Sequence, residues 1–429
     1  MEYFAGLTEE QSQAVSAPIV TNVLVLANPG TGKTRVLTSR YLYLRNKGFR
    51  PEDIVLLTFT NKAAREMLGR LKGKIDYSLD LTGTFHHLAC VLLRKAGHNF
   101  TILDDYHQLK AVTHLAEEVR LPVAPEYFLK EYSFRVNSLR NLNFTNPEYT
   151  FLAERYKEYK EAEGYYDFDD LLFYTLRLLQ ANPLSEKYIL VDEFQDSSRI
   201  QVEILKTLRR YDNRFFAVGD YNQAVFSFAG ADPDNLTNYE IDFAPVSTFH
   251  LSFNFRSTRP IILLCSDFIR LNNSCYDLKL HTEKIGPAPV FLYAPDPFSE
   301  AEKIADLVKE YYGKGRTAIL CRVKRWFPLL EWKLSEKEIP FTVKGKTRCF
   351  TPSKDAVTLS TIHSAKGLEW DNVFVVGLCE GLFPHRKAVQ EGKLQEERRL
   401  LYVGLSRARD RLWLSFVGNS RFLEELNHR

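Results

Sequence analysis

No two of the six cysteines form a CxxC pair: Cys90, Cys265, Cys275, Cys321, Cys349 and Cys379 stand apart. That spacing speaks against a zinc ribbon or an iron–sulfur site, and scattered thiols fit a reducing cytoplasm. The N-terminus, MEYFAGLTEEQSQAV, has neither a basic segment nor an apolar core, so no signal peptide is expected. No apolar run approaches the roughly 18 residues needed to cross a membrane. Charge of one sign is not in excess either, since 57 Lys and Arg face 54 Asp and Glu for a formal net charge of +3. Such a balance neither requires nor excludes nucleic acid, because a basic groove can sit inside a near-neutral chain. What remains is ordinary globular composition in 429 residues, room for two to four domains at roughly 100–200 residues each.

Short apolar runs alternate with longer helical patterns. Val23–Ala27, Ile54–Thr58, Tyr188–Val191 and Phe215–Val218 end at polar or glycine residues, as buried parallel strands do. A second set comprises Val290–Tyr293, Ala318–Cys321, Val357–Thr361, Val373–Gly377 and Leu412–Val417. Two such sets predict an α/β fold of two parallel-sheet lobes, the first from 1–84 and 166–250, the second from 251–429. Residues 85–165 are helical in pattern and rich in tyrosine, with no clear strand. A segment of that length is too long for one connection in a compact sheet, so it reads as a helical insertion in the first lobe.

The first strand runs into Ala27-Asn28-Pro29-Gly30-Thr31-Gly32-Lys33-Thr34, the spacing of a Walker A loop with alanine at its first position. Glycines let the backbone curl so that amides point at phosphates. Lys33 is expected to neutralise the β- and γ-phosphates of ATP, and the Thr34 hydroxyl to bind Mg2+. Further on, Ile189-Leu190-Val191-Asp192-Glu193 is an apolar strand ending in two carboxylates, a Walker B element. Asp192 is the expected metal ligand, and Glu193 the base that orients and deprotonates the attacking water.

At this point the chain resembles superfamily 1 DNA helicases of the UvrD/Rep/PcrA type, nearly end to end. Leu7–Gln11 resembles the adenine-reading Q motif. Leu57-Thr58-Phe59-Thr60-Asn61-Lys62-Ala63-Ala64 matches motif Ia, Gly83–His86 motif Ib, and Asp192–Asp196 motif II. Val218-Gly219-Asp220 with Gln223 matches motif III, Asn254–Ser257 motif IV, Thr361–Glu369 motif V, and Glu397–Ala408 motif VI. The resemblance implies two RecA-like lobes of a P-loop NTPase. It implies that Gln11 reads the adenine, Arg35 and Phe255 pack on it, and Glu369 holds the ribose. Gln223 would sense the γ-phosphate, and Arg256 and Arg407 would act as arginine fingers across the cleft. Outside that context Arg407 reads as a charge on an amphipathic helix.

The resemblance also places Phe59, Asn61, His86, Phe226, Phe228 and His363 on a path for single-stranded DNA, where bases stack on aromatics. Lys344, Lys346, Arg348 and Lys354 form a basic stretch that either meets phosphates or is simply solvated. Two departures stand out. Motif III has Ala229 where the family usually has arginine, which removes a contact between nucleotide state and DNA. Only Thr351–Ala356 separate Phe350 from Val357, where the family carries a whole helical subdomain, and the chain ends soon after motif VI, with no room for a nuclease domain. The expected activity is ATP-driven 3′ to 5′ translocation on single-stranded DNA, with unwinding of 3′-tailed duplex DNA, in the cytoplasm and in repair, replication or defence. The rival expectation is an ATP-switched DNA-binding component that needs a protein partner, in a repair or phage-defence complex. Neither involves a membrane.

Overall fold

A computed structural model of the chain describes residues 4–71, 81–184, 187–210, 212–232, 234–273, 275–276, 279–345 and 351–427. Lys346, Arg348, Cys349 and Phe350 lie outside the described residues. Two compact units emerge. One comprises 1–26, 33–219 and 226–250. The other comprises 251–429 together with the short segments 27–32 and 220–225.

The strands, in chain order, are β1 (Asn22–Ala27), β2 (Ile54–Thr58), β3 (Thr82–Thr84), β4 (Thr101–Ile102), β5 (Tyr165–Tyr166), β6 (Tyr188–Val191), β7 (Arg214–Gly219) and β8 (Val246–Leu251). They continue with β9 (Val290–Ala294), β10 (Thr317–Cys321), β11 (Phe341–Val343), β12 (Val357–Thr361), β13 (Trp370–Leu378) and β14 (Ala408–Val417). The first sheet runs β3-β2-β6-β7-β1-β8 and the second β11-β12-β10-β13-β14-β9. Every residue of β1, β2 and β6 is buried, as parallel strands covered on both faces require. All nine apolar runs read from the sequence are strands. The additional strands β3, β8 and β11 are short or half-exposed, and lack the continuous apolar signature.

The stretch expected to be free of strands contains a small pair, β4 with β5, two residues each. Otherwise it is helical, over Phe85–Lys95, Asp105–Glu118, Pro125–Asn137 and Pro147–Glu163, followed by Phe168–Ala181. These helices carry a core of their own around Val112, Phe128, Leu152 and Tyr156. Local signals set their ends. Pro147 opens one helix behind an Asn146 cap, and Gly164 closes it in the left-handed conformation at φ 65°. A buried ionic cluster ties two of them together: the Lys160 ammonium lies 2.5 Å from Asp167 and 2.6 Å from Asp170. Burial opposes the Lys160 charge, but the facing carboxylates outweigh it and keep the amine protonated. Among the described residues, no helix is long and apolar enough to cross a membrane.

Candidate active site and aromatic platform

The buried strand β1 delivers the chain into the loop Ala27–Thr34. Gly30 and Gly32 take φ values of 77° and 87°, which glycine alone adopts without strain. Gly30 is constrained twice, since a β-carbon there would lie 2.7 Å from Cβ of Arg256. The Thr31 hydroxyl donates to the Asn28 carbonyl at 2.8 Å and holds the turn. Lys33 and Thr34 then open the helix Lys33–Asn46, which has no acidic residue in its first turn. Its unsatisfied amides and positive dipole end therefore meet no competing anion from that turn, which suits a phosphate.

Around this loop, Gln11 is buried and caps its own helix: its Oε1 accepts from the Thr8 amide at 3.1 Å. Arg35 is exposed and donates to the Ala5 carbonyl at 2.8 Å, lying over Gly6. Two of the three expected adenine contacts, Gln11 and Arg35, are thus anchored in the N-terminal segment.

At the end of β6, Asp192 is buried. Burial pushes its carboxyl well above the ordinary range, the neighbouring Glu193 adds to this, and Lys33 opposes it. A divalent cation would reverse that balance. The donor set fits one: a carboxylate and the Thr34 hydroxyl are hard oxygen ligands of the kind magnesium takes. Among the described residues no cluster of three acidic, histidine or cysteine side chains could cage a metal. Phosphate oxygens and waters would complete the shell, as is usual for magnesium.

Glu193 adopts the left-handed conformation at φ 47°. That is a strained choice for a residue with a side chain and is typical of functional positions. Gln195, fully buried, donates to Glu193 at 2.5 Å. Gly219 makes room for it, since a β-carbon there would stand 2.9 Å from the side-chain oxygen Oε1 of Gln195. Gln195 is a site residue that sequence reasoning left without a role, and its only signal was membership of motif II.

In the second compact unit, a buried network centres on Gln223. Its Nε2 donates to Asp220 at 2.6 Å, and its Oε1 accepts from Arg407 at 2.8 Å. The Lys366 ammonium donates to its backbone carbonyl at 2.6 Å. Arg407 also donates to the carbonyls of Val403 and Leu368. It is therefore a buried, aimed guanidinium, not a solvated helix charge. Arg256 donates to Glu369 at 2.7 Å and to the Ser406 carbonyl at 3.0 Å. Arg409 takes the other oxygen of Glu369 at 2.5 Å. Burial resists ionisation of Glu369, but the two guanidiniums prevail and hold its carboxyl at about 2. Both oxygens of the expected ribose ligand are thus engaged by arginines in this conformation. Phe255 is exposed, its ring 4.6 Å from that of Phe253, and its amide donates to the Gly30 carbonyl at 2.8 Å.

Three of the expected DNA residues come together in the first unit. Phe59 stacks on Phe226 at 5.2 Å with the planes 26° apart, and Phe228 lies 5.9 Å beyond. Phe228 is 63% exposed, so this aromatic is not part of a core. Asn61 is exposed at the start of the helix Asn61–Leu71. His86 packs edge-on against Phe168 at 5.4 Å. His363 sits in the second unit, in the four-residue helix Ile362–Ala365. Nearby, Lys344 donates to the Ser364 carbonyl.

A strand–loop–helix phosphate cradle, a Walker B carboxylate pair and two parallel sheets define a P-loop NTPase of two RecA-like lobes. The family models make the assignment narrower. Residues 7–244 match the UvrD/REP helicase N-terminal domain, and residues 249–354 and 348–419 match the UvrD-like helicase C-terminal domain. The chain belongs to the UvrD-like helicase family, which places it among the ATP-dependent DNA helicases. It is 26% identical to DNA helicase II of Escherichia coli, over 99% of this chain and 86% of that one. It is 24% identical to ATP-dependent DNA helicase PcrA of Bacillus subtilis, over 96% and 83%. A probable DNA helicase of Mycoplasma pneumoniae is 30% identical over 97% and 84%. The alignment with the Escherichia coli protein extends over 624 positions although this chain has 429 residues, so that relative carries long segments with no counterpart here.

Proposed function

We propose that this chain hydrolyses ATP with Mg2+ to move 3′ to 5′ along single-stranded DNA, and that it opens duplexes bearing a 3′ single-stranded tail. Lys33 grips the phosphates, Thr34 and Asp192 hold the metal, and Glu193 takes the proton of the attacking water. Arg256 and Arg407 stabilise the charge that develops on the γ-phosphoryl group, and Gln223 reports its presence. Gln11, Arg35, Phe255 and Glu369 orient the nucleoside. Phe59, Phe226 and Phe228 stack bases, with Asn61, His86 and His363 along the same path. Residues 85–165 act as a helical subdomain inserted in the first lobe, made of 1–84 and 166–250, and 251–429 form the second.

The observation that carries this reading is the short span between Gln223 and Phe226. Gln223 is bonded to the buried Arg407, and three residues later the chain presents an aromatic of the platform. A change at the γ-phosphate thus has a covalent path to a DNA contact. The test is ATPase rate with and without single-stranded DNA, together with translocation on strands labelled at either end. Strong stimulation and displacement of a block at the 5′ end are expected. Indifference of the ATPase to DNA would overturn the motor reading.

Ala229 favours the second reading. It is exposed and carries no side chain that could link motif III to DNA. In that case the chain is an ATP-switched DNA clamp that needs a protein partner within a cytoplasmic repair or defence assembly. ATP would then tighten DNA binding without movement.

A further inference from the structure

The loop that carries Phe226 and Phe228 is built from small residues. Ser227, Ala229, Gly230 and Ala231 offer little side chain to brace it, yet a stacking platform binds well only if it is held rigid before the base arrives. Its support comes from behind. The helix Pro125–Asn137 packs against the turn Ser227–Ala229. Gly230, at φ 87°, sits directly on the last residue of that helix, where a β-carbon would come within 3.0 Å of Cβ of Asn137. Asn137 is pinned in turn. Its Nδ2 donates to Oδ1 of Asp169 at 2.7 Å and to the Ser133 carbonyl at 3.0 Å. The same Asp169 oxygen accepts from the Ser133 hydroxyl at 2.9 Å. Asp169 is only 7% exposed, and burial raises its carboxyl to about 7, so the oxygen accepts these bonds out of reach of bulk water.

We propose that Asn137 is a positioning residue for single-stranded DNA: clamped by Asp169 and Ser133, it backs the motif III turn and fixes Phe226 and Phe228 for base stacking. Asn137 touches neither nucleotide nor base, and it acts through the turn. The proposal rests on the reading of Phe59, Phe226 and Phe228 as a base platform.

The test is a double-mutant cycle on the full chain, read by titration of a fluorescent oligothymidine and by DNA-free ATPase. Asn137→Ala should weaken single-stranded DNA binding by about tenfold, the scale of one lost buried hydrogen bond. DNA-free ATPase should stay within about twofold, since the nucleotide residues are untouched. Asp169→Asn keeps the accepting oxygen and should bind DNA nearly as the wild type does. The Asn137→Ala, Phe228→Ala double variant should bind no more weakly than Phe228→Ala alone, because both changes remove one platform. Multiplying losses, or a parallel fall in DNA-free ATPase, would overturn the proposal and make Asn137 a residue of the fold only. Undiminished binding by Asn137→Ala beside weakened binding by Phe228→Ala would overturn the clamp alone. Undiminished binding by Phe228→Ala would instead sink the platform reading itself.

Discussion

The side-chain amide of Asn254 donates to the carbonyl of Pro29 at 2.7 Å. The same carboxamide accepts from the amides of Arg256 and Ser257, each at 2.8 Å. One buried group therefore shapes both the phosphate loop and the turn that presents Arg256, the proposed arginine finger. Leaving such partners unsatisfied costs about 1–3 kcal/mol each.

Asn254→Ala should accordingly lower kcat/KM for ATP by roughly 10²-fold or more. Asn254→Asp separates the two roles, because it keeps the accepting oxygen and loses the donor to Pro29. It should raise KM for ATP with a smaller effect on kcat. Steady-state ATPase kinetics check both, and an unaltered Asn254→Ala enzyme would show that the turn holds itself.

Glu193→Gln should retain ATP binding and lose roughly 10²–10⁴-fold in turnover, the span of general base catalysis. Gln195→Ala should fall in the same direction by a smaller factor, since it removes only the donor that orients Glu193. Lys33→Ala should lose nucleotide binding as well. Nucleotide titration beside single-turnover hydrolysis separates these cases. A Glu193→Gln enzyme that hydrolyses normally would remove Glu193 as the base.

Arg256→Ala and Arg407→Ala should each slow turnover by roughly 10³-fold, the scale of an arginine finger. Lysine at position 407 should not restore the rate, because the guanidinium fork serves several acceptors at once. Single-stranded DNA binding without nucleotide should change little. Parallel DNA titration and ATPase assays decide this, and equal losses in both would assign these arginines to the fold or to DNA.

Duplex opening by the isolated chain should be limited to short stretches with a 3′ tail. Each base-pair step costs on average about 1.4 kcal/mol, and the chain lacks the long segments its larger relatives carry. Binding should also weaken steeply with salt, as phosphate contacts dictate. Single-turnover strand displacement on duplexes of increasing length measures the first effect. Efficient opening of long duplexes would show that the two lobes and the helical segment suffice.

Burial lowers the imidazole of His86 to about 4, and burial followed by the nearby Arg322 and Lys366 does the same for His363. Both are neutral when folded, whereas the unfolded chain takes up protons below about 6.5. Their contribution to stability is therefore complete above that pH and is lost as pH falls toward 4. Buried Asp169 and Asp192, raised to about 7, act in the opposite sense, so the readout is the difference: the urea midpoint of His86→Gln with His363→Gln should gain on that of the wild type as pH falls through the window. An unchanged slope would mean that other groups govern acid stability.

The sequence by itself determined the strands with two buried faces, because continuous apolar runs have no other stable place in an α/β fold. It determined the phosphate loop and the carboxylate pair too, since their chemistry depends on residues adjacent in the chain. The edge strands β3, β8 and β11 were not legible, being short or half-exposed and lacking that apolar run. Tertiary structure alone decided the partners. β7 places Gly219 against Gln195, where a β-carbon would crowd its side chain, and Arg407 meets Gln223 across 184 positions of sequence. Only the fold could show that Phe59 stacks on Phe226 beside Phe228 and that His86 packs on Phe168. It also seats Asn137 under the motif III turn, 93 positions before Gly230. Local patterns encode what a segment buries; which side chains converge depends on how the sheets order their strands, and no short stretch of sequence carries that information.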